Sequence, residues 1–187
     1  MKRPYVPRVV LTGPESTGKS TLARELAARL GTVWSPEMAR YFLDAKRELD
    51  IEDVTPIAYA QRGVELWLEE RANDVLVCDT DVLSTIIYGR EIYGFESVEL
   101  ERLLGERPTT LYLLLDCDIA WQSDPTPGQR EGVEARARYF ELFRRELEVR
   151  GLPFCLVSAE GDYGRRLELA LESVNQWLSA VPQTDVP

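Results

Sequence analysis

The chain has no histidine among its 187 residues. That removes imidazole as base, acid or metal ligand, and any H-x-G-H nucleotidyl-transfer motif with it. Acid–base work must then fall to carboxylates. There are only three cysteines, Cys78, Cys117 and Cys155, with no C-x-x-C spacing. Neither a zinc site nor a redox pair is signalled, and buried structural thiols in a reducing compartment are the expectation. No apolar run approaches the length of a membrane span; the longest lies near residues 111–115. The first seven residues are basic and proline-rich with no apolar stretch behind them, so no signal peptide is read and a cytoplasmic protein is expected. A basic excess is missing too. The net charge of −10 disfavours nucleic acid as a partner. An anionic ligand would have to be drawn in by a local cluster of Lys and Arg. The D-x-x-G and N-K-x-D motifs of GTPase switches do not occur. Repeats and low-complexity segments are absent, and the length fits one domain over 1–187 with loose tails at 1–7 and 182–187.

What is present begins at Gly13-Pro14-Glu15-Ser16-Thr17-Gly18-Lys19-Ser20, followed by Thr21. This is the phosphate-binding pattern G-x-x-x-x-G-K-[ST]. Each fixed position has its own task. Gly13 and Gly18 permit backbone angles that a Cβ would forbid. The N–H groups between them can curl inward around an anion. Lys19 can reach β- and γ-phosphates, and Ser20 places a hydroxyl where Mg²⁺ would sit. The context agrees: a β-branched run at 8–12 precedes the motif. Leu22, Leu26 and Leu30, beside Ala23 and Ala27, form one helix face after it, and Gly31 stops that helix.

Apolar runs alternate with helical patterns along the rest of the chain. The expected fold is α/β, a P-loop kinase-like doubly wound sheet of about five parallel strands with helices on both faces. Strands are predicted at 9–11, 32–34, 75–78, 111–115 and 154–157. Ser35-Pro36 and Thr55-Pro56 read as helix starts. The second of these precedes an apolar set of Ile57, Ala60, Val64, Trp67 and Leu68. Leu167, Ala170, Leu171, Val174, Trp177 and Leu178 share one face of a C-terminal helix. Two prolines and two glycines mark 123–132 as a loop, and its place after the fourth strand suggests a lid over the phosphates.

The strand at 75–78 runs into Asp79, with Asp81 two residues on. Both carboxylates then lie at the carboxyl edge of the sheet, where open α/β folds bind ligands. Asp79 is the candidate Mg²⁺ ligand with Ser20. Asp81 is a candidate for orienting or deprotonating an acceptor and also for a helix N-cap, two compatible roles. Glu37 follows the second strand and could take a proton from a hydroxyl, bind a ribose, or serve the helix dipole. Arg136 falls on the inward stripe with Phe140, Phe143 and Leu147, while Arg138 falls on the solvated face. An arginine on such a stripe needs a partner, either bound phosphate or a core carboxylate. Arg130 lies in the expected lid. Trp121 and Asp124 follow the fourth strand, and an indole beside a carboxylate suits a flat aromatic cation.

Taken together these residues resemble the nicotinamide riboside kinase domain of the NadR type. The likeness runs through Gly13–Thr21, then Ser35-Pro36-Glu37-Met38-Ala39-Arg40, similar to a P-E-x-A-R segment. Cys78-Asp79-Thr80-Asp81 is close to the family's D-T-D. Trp121 with Asp124 and Arg130 is similar to its P-W-x-x-D-G-x-R, although Ala120 stands in place of proline and the D-G-x-R spacing is opened. The resemblance implies ATP and Mg²⁺ as cofactors and transfer of the γ-phosphoryl to the 5′-hydroxyl of nicotinamide riboside. It implies phosphate contacts from the loop, catalytic roles for Lys19, Asp81, Glu37, Arg130 and Arg136, and acceptor contacts from Glu37, Arg40, Asp81, Trp121 and Asp124. A stand-alone kinase is expected, because adenylyltransferase histidines are lacking. The alternatives are a nucleoside monophosphate kinase, for which Arg40 could hold the acceptor's phosphate, and a nucleotide-dependent switch or adaptor ATPase.

Overall fold

Side chains alternate across each strand, and both faces of the sheet are apolar, so helices must cover both. The computed structural model describes residues 6–46, 48–106, 110–119 and 133–181. Its elements run β1 (Arg8–Thr12), α1 (Lys19–Arg29), β2 (Trp34–Ser35), α2 (Met38–Lys46) and a 3₁₀ turn (Ile51–Asp53). They continue α3 (Val54–Glu69), β3 (Leu76–Asp79), α4 (Val82–Tyr93), α5 (Val98–Gly105) and β4 (Thr110–Leu115). The chain then forms α6 (Val133–Val149), β5 (Phe154–Val157) and α7 (Tyr163–Ala180). All four strand pairings are parallel, in the order β2-β3-β1-β4-β5. The five predicted strands are therefore present. β2 is shorter and later than expected, and Val33 packs outside it against a core cluster.

Val9, Leu11, Leu111 and Leu113 face α1 and α7, where Leu22, Leu26, Ala170 and Val174 complete one core. Val10, Tyr112 and Leu114 face the other way, toward Leu83, Ile87, Phe143 and Leu147 of α4 and α6. β1 lies between β3 and β4, so the strand order reverses around it. The loops after β1 and β3 emerge side by side, with Leu11 in register with Asp79. That switch point is where such sheets bind ligands.

Two helix starts differ from the sequence reading. α2 begins at Met38, leaving Pro36 and Glu37 in the connection before it. Thr55 is not a cap: Asp50 caps the preceding 3₁₀ turn through a reciprocal capping box with Asp53, and α3 continues from there. The inward face of α3 is also rotated from its apolar pattern. Ile57, Ala58 and Leu68 are buried, but so are Gln61, Arg62 and Glu65, whereas Trp67 is exposed under the Arg71 guanidinium at 3.8 Å. Only Cys78 of the three thiols is fully buried; Cys117 and Cys155 are half-buried, a correction to the expectation for them. Among the described residues no helix is long and apolar enough to cross a membrane.

Candidate active site

The turn between β1 and α1 has three residues at positive φ: Gly13 at 125°, Ser16 at 55° and Gly18 at 79°. Gly13 is required for a second reason, since a Cβ there would sit 3.0 Å from the Leu115 carbonyl oxygen. Thr17 Oγ1 donates to the Pro14 carbonyl at 2.9 Å and braces the turn from within. The Lys19 ammonium donates to the carbonyls of Gly13 at 3.0 Å and Pro14 at 2.7 Å. Burial pushes the Lys19 pKa down, against the pull of Glu37, Asp79 and Glu15. A phosphate would give this cation a partner and draw it off the loop carbonyls. α1 opens at Lys19 with no side-chain cap, so its first N–H groups are available to an anion.

Beside the loop, Asp79 ends β3 with 1% exposure. It takes a hydrogen bond from Ser20, while its Oδ1 is buried without a partner. Burial first, and then the charge of Glu37, push its carboxyl up to about 6. A hard oxygen left unpaired next to a hydroxyl suits Mg²⁺, which needs only one or two protein oxygens beyond water and phosphate. Ser20 and Asp79 therefore fit as its ligands. Thr80 follows at φ 65°, a strained setting for a β-branched residue, and its N–H is fixed to the Leu11 carbonyl at 3.1 Å. The strain turns the chain sharply between the two aspartates.

Asp81 is accordingly placed apart from Asp79. It is the N-cap of α4, accepting from the Leu83 N–H at 3.0 Å and from the Tyr112 hydroxyl at 2.7 Å. Arg8 approaches it at 3.9 Å, and it is 1% exposed. Of the two compatible roles expected for it, the cap is present in the geometry; Asp81 is not among the residues lining the cavity described next.

A cavity of about 400 Å³ opens from the phosphate loop at Gly13, Glu15 and Lys19. Glu37 and Arg40 stand on its wall, joined by an Arg40 Nε–Glu37 ion pair of 3.0 Å. Beyond them it runs along α2, α3 and α4, past Leu43, Ile57, Ser84, Tyr88 and Tyr93. The structure thus brings Lys19, Glu37, Arg40 and the loop together, with Asp79 and Ser20 beside them. Trp121, Asp124, Arg130 and the expected lid at 123–132 lie outside the described residues.

Arg136 is buried as its stripe required, but its partners among the described residues are backbone carbonyls. Its guanidinium donates to Ile119 O at 3.3 Å and Cys117 O at 3.5 Å, and Nε is left without a partner. The loop is reached from a different arginine. Arg166 of α7, 1% exposed, donates to the Thr17 carbonyl at 2.6 Å and the Asp116 carbonyl at 3.1 Å, and pairs with Asp118. Asp118 also accepts from the Ala159 N–H at 2.6 Å, which ties the segment after β5 to the same post. Arg166 lies four residues before Ala170 on the buried stripe of α7. The periodicity that singled out Arg136 would have found it.

An anion nest at the switch point of a parallel sheet, with a carboxylate and a hydroxyl set beside it for a cation, makes this a P-loop nucleotide-binding domain. The chain belongs to the AAA_28 family, described as an AAA domain, whose model matches residues 8–166. It is 27% identical over 93% of its length to the trifunctional NAD biosynthesis/regulator protein NadR of Escherichia coli K12, of which it spans 43%. Two crystal structures of NadR, one with NAD and AMP-PNP and one with NR, superpose with TM-scores of 0.70 and 0.68 at 21% and 22% identity. Each is matched by 98% of this chain, which covers 52% and 54% of theirs. The thymidylate kinase of Ehrlichia chaffeensis superposes at TM-score 0.62 with 16% identity, covering 94% of this chain and all of that one. The chain therefore spans less than half the length of the curated relative and about half of the NadR chains.

Proposed function

We propose that the protein is an ATP- and Mg²⁺-dependent kinase that phosphorylates the 5′-hydroxyl of a nucleoside, with nicotinamide riboside as acceptor and nicotinamide mononucleotide as product. The observation that carries this is the continuity of the cavity. Room for a second substrate begins at the phosphate loop and has a carboxylate, Glu37, at the junction. An ATPase switch has no use for such a chamber. The likeness to NadR over nearly the whole chain supports the riboside among nucleosides.

In this reading the loop N–H groups from Gly13 to Ser20 hold the β- and γ-phosphates. Lys19 leaves the Gly13 and Pro14 carbonyls to neutralise charge on the γ-phosphoryl. Ser20 and Asp79 would hold Mg²⁺, which would screen the phosphate oxygens. Glu37 orients the acceptor hydroxyl and receives its proton as the new P–O bond forms and the bond to the β–γ bridging oxygen breaks, releasing ADP. Positioning and electrostatics carry most of this chemistry. Asp81 acts by fixing the start of α4. Arg130, Trp121 and Asp124 stay as proposed lid and acceptor contacts, and Arg136 as a lid-side arginine.

A coupled ADP-release assay with MgATP tests this against its rivals. Nicotinamide riboside should stimulate turnover more than common nucleosides or nucleoside monophosphates. Stimulation by a monophosphate alone would favour the nucleotide kinase, for which Arg40 already lines the cavity. Slow hydrolysis indifferent to every acceptor would favour the switch.

A further inference from the structure

α2 forms one wall of the cavity through Ala39, Arg40 and Leu43, yet none of its residues is fully buried. Among the described residues, no α2 side chain enters any of the three core clusters. Hydrophobic packing therefore does little to fix the helix, or Glu37 immediately before it. Polar ties hold it at both ends. At its end, Lys46 reaches Asp50 at 3.1 Å and Asp53 at 2.8 Å. At its start, the tie is Gln61 of α3.

Gln61 is 2% exposed and lines the cavity. Its Oε1 accepts from the Met38 N–H at 2.9 Å, serving as a helix cap supplied from another element. Its Nε2 donates to Ser35 Oγ at 3.3 Å. One amide therefore grips the chain on both sides of Pro36-Glu37. The amide is itself held: Nε2 also reaches Glu65 Oε1 at 3.3 Å, and Glu65 is clamped by Arg8 and by Arg62 Nη1 at 3.5 Å, all buried. A rigid charged post in the core thus ends in a fork that sets the turn bearing the proposed proton acceptor.

We propose that Gln61 is a positioning residue for phosphoryl transfer, acting through Glu37 by pinning Ser35 and Met38. This rests on the reading of Glu37 given above. A loss of alignment on the order of an ångström costs turnover by roughly 10²-fold in such reactions.

The test pairs Gln61→Met, which keeps the side chain's length but makes none of these bonds, with Glu37→Gln. Turnover is followed by ADP release with MgATP and nicotinamide riboside. Q61M should lower kcat by roughly 10- to 100-fold and leave KM for MgATP within about twofold. In the E37Q background it should do almost nothing more, because both changes remove one function. Amide hydrogen exchange over residues 37–40 should quicken in Q61M while β1 and α1 keep wild-type rates, whatever the acceptor proves to be. Factors that multiply in the double variant, or unchanged exchange at 37–40, overturn the role of Gln61 alone. Wild-type turnover in E37Q instead overturns the reading of Glu37, and the positioning role with it.

Discussion

Replacing Asp79 by asparagine should make the metal-free protein more stable while abolishing its use of magnesium. The carboxyl titrates at about 6 in the folded chain against an ordinary value of 3.8, because it is buried and lies near Glu37. The folded state thus binds this proton more tightly than the unfolded chain does. Wild-type stability must fall as pH climbs from about 4 to about 6, and then level off. Above pH 7 the accumulated loss is about 3 kcal/mol, at roughly 1.4 kcal/mol for each tenfold change in proton affinity. Asparagine keeps the shape and an acceptor for Ser20 but carries no charge. In EDTA at pH 8, D79N should therefore melt roughly 6–12 °C above the wild type, with about half the free-energy advantage surviving at pH 5. With MgATP the order should change: the wild type gains stability from the ligand, while the variant gains little and loses its turnover by roughly 10²-fold or more. Differential scanning calorimetry of both proteins at pH 5 and 8, with and without MgATP, checks the stabilities, and ADP release checks the turnover. A variant less stable than wild type at pH 8, or a gap indifferent to pH, would refute the idea that a charge is held here at a cost for the metal.

Three other changes follow from the same contacts. Lys19→Met should depress turnover by roughly 10²-fold or more while nucleotide affinity, measured by calorimetry, changes less, since in the proposed mechanism the lysine acts on charge that moves in the transition state; equal losses in both would count against that role. Arg166→Met removes one donor each from the Thr17 carbonyl, the Asp116 carbonyl and the Asp118 carboxylate, so urea unfolding should show a loss of about 3–5 kcal/mol and nucleotide binding should weaken; a loss under about 1 kcal/mol would mean the guanidinium does not hold the loop. Gly63 lies inside α3 with open space where a Cβ would go, so Gly63→Ala should add about 0.5–1 kcal/mol by the same unfolding measurement, and a destabilised variant would refute the idea that helix propensity alone acts at this position.

The parts of the molecule that can be read along the chain are those made by local rules. Gly13, Gly18, Lys19 and Ser20 sit in one turn, and their spacing is dictated by the loop they build. The strands could be read because both faces of the sheet are covered, which leaves apolar runs such as Leu111-Tyr112-Leu113-Leu114-Leu115. Boundaries slipped where a neighbour, not the local sequence, decides them. α2 starts at Met38 because Gln61, twenty-three positions on, supplies its cap. α3 starts early because Asp50 and Asp53 cap each other ahead of it.

Apolar periodicity misread the inner face of α3 for a deeper reason. Gln61, Arg62 and Glu65 look like a solvated stripe until Arg8 is brought from β1 against Glu65, to which the other two are bonded. Arg8 has its own reason to be there. It stands in β1 three residues before Leu11, and its side chain reaches Glu65, Thr110 and the vicinity of Asp81. That buried group links the two segments that frame the proposed acceptor cavity, the Ser35–Met38 turn through Gln61 and the head of α4 through Asp81. Burying so many charges is seldom the cheapest way to stabilise a core; apolar residues of equal volume usually do as well or better. What charges offer instead is direction, because hydrogen bonds fix orientation where packing alone leaves slack. Asp81 shows this, since the same carboxylate takes the Leu83 amide, the Tyr112 hydroxyl and the field of Arg8. In the proposed mechanism it would thereby contribute to the site without lining it, by holding still the helix along which the acceptor would lie.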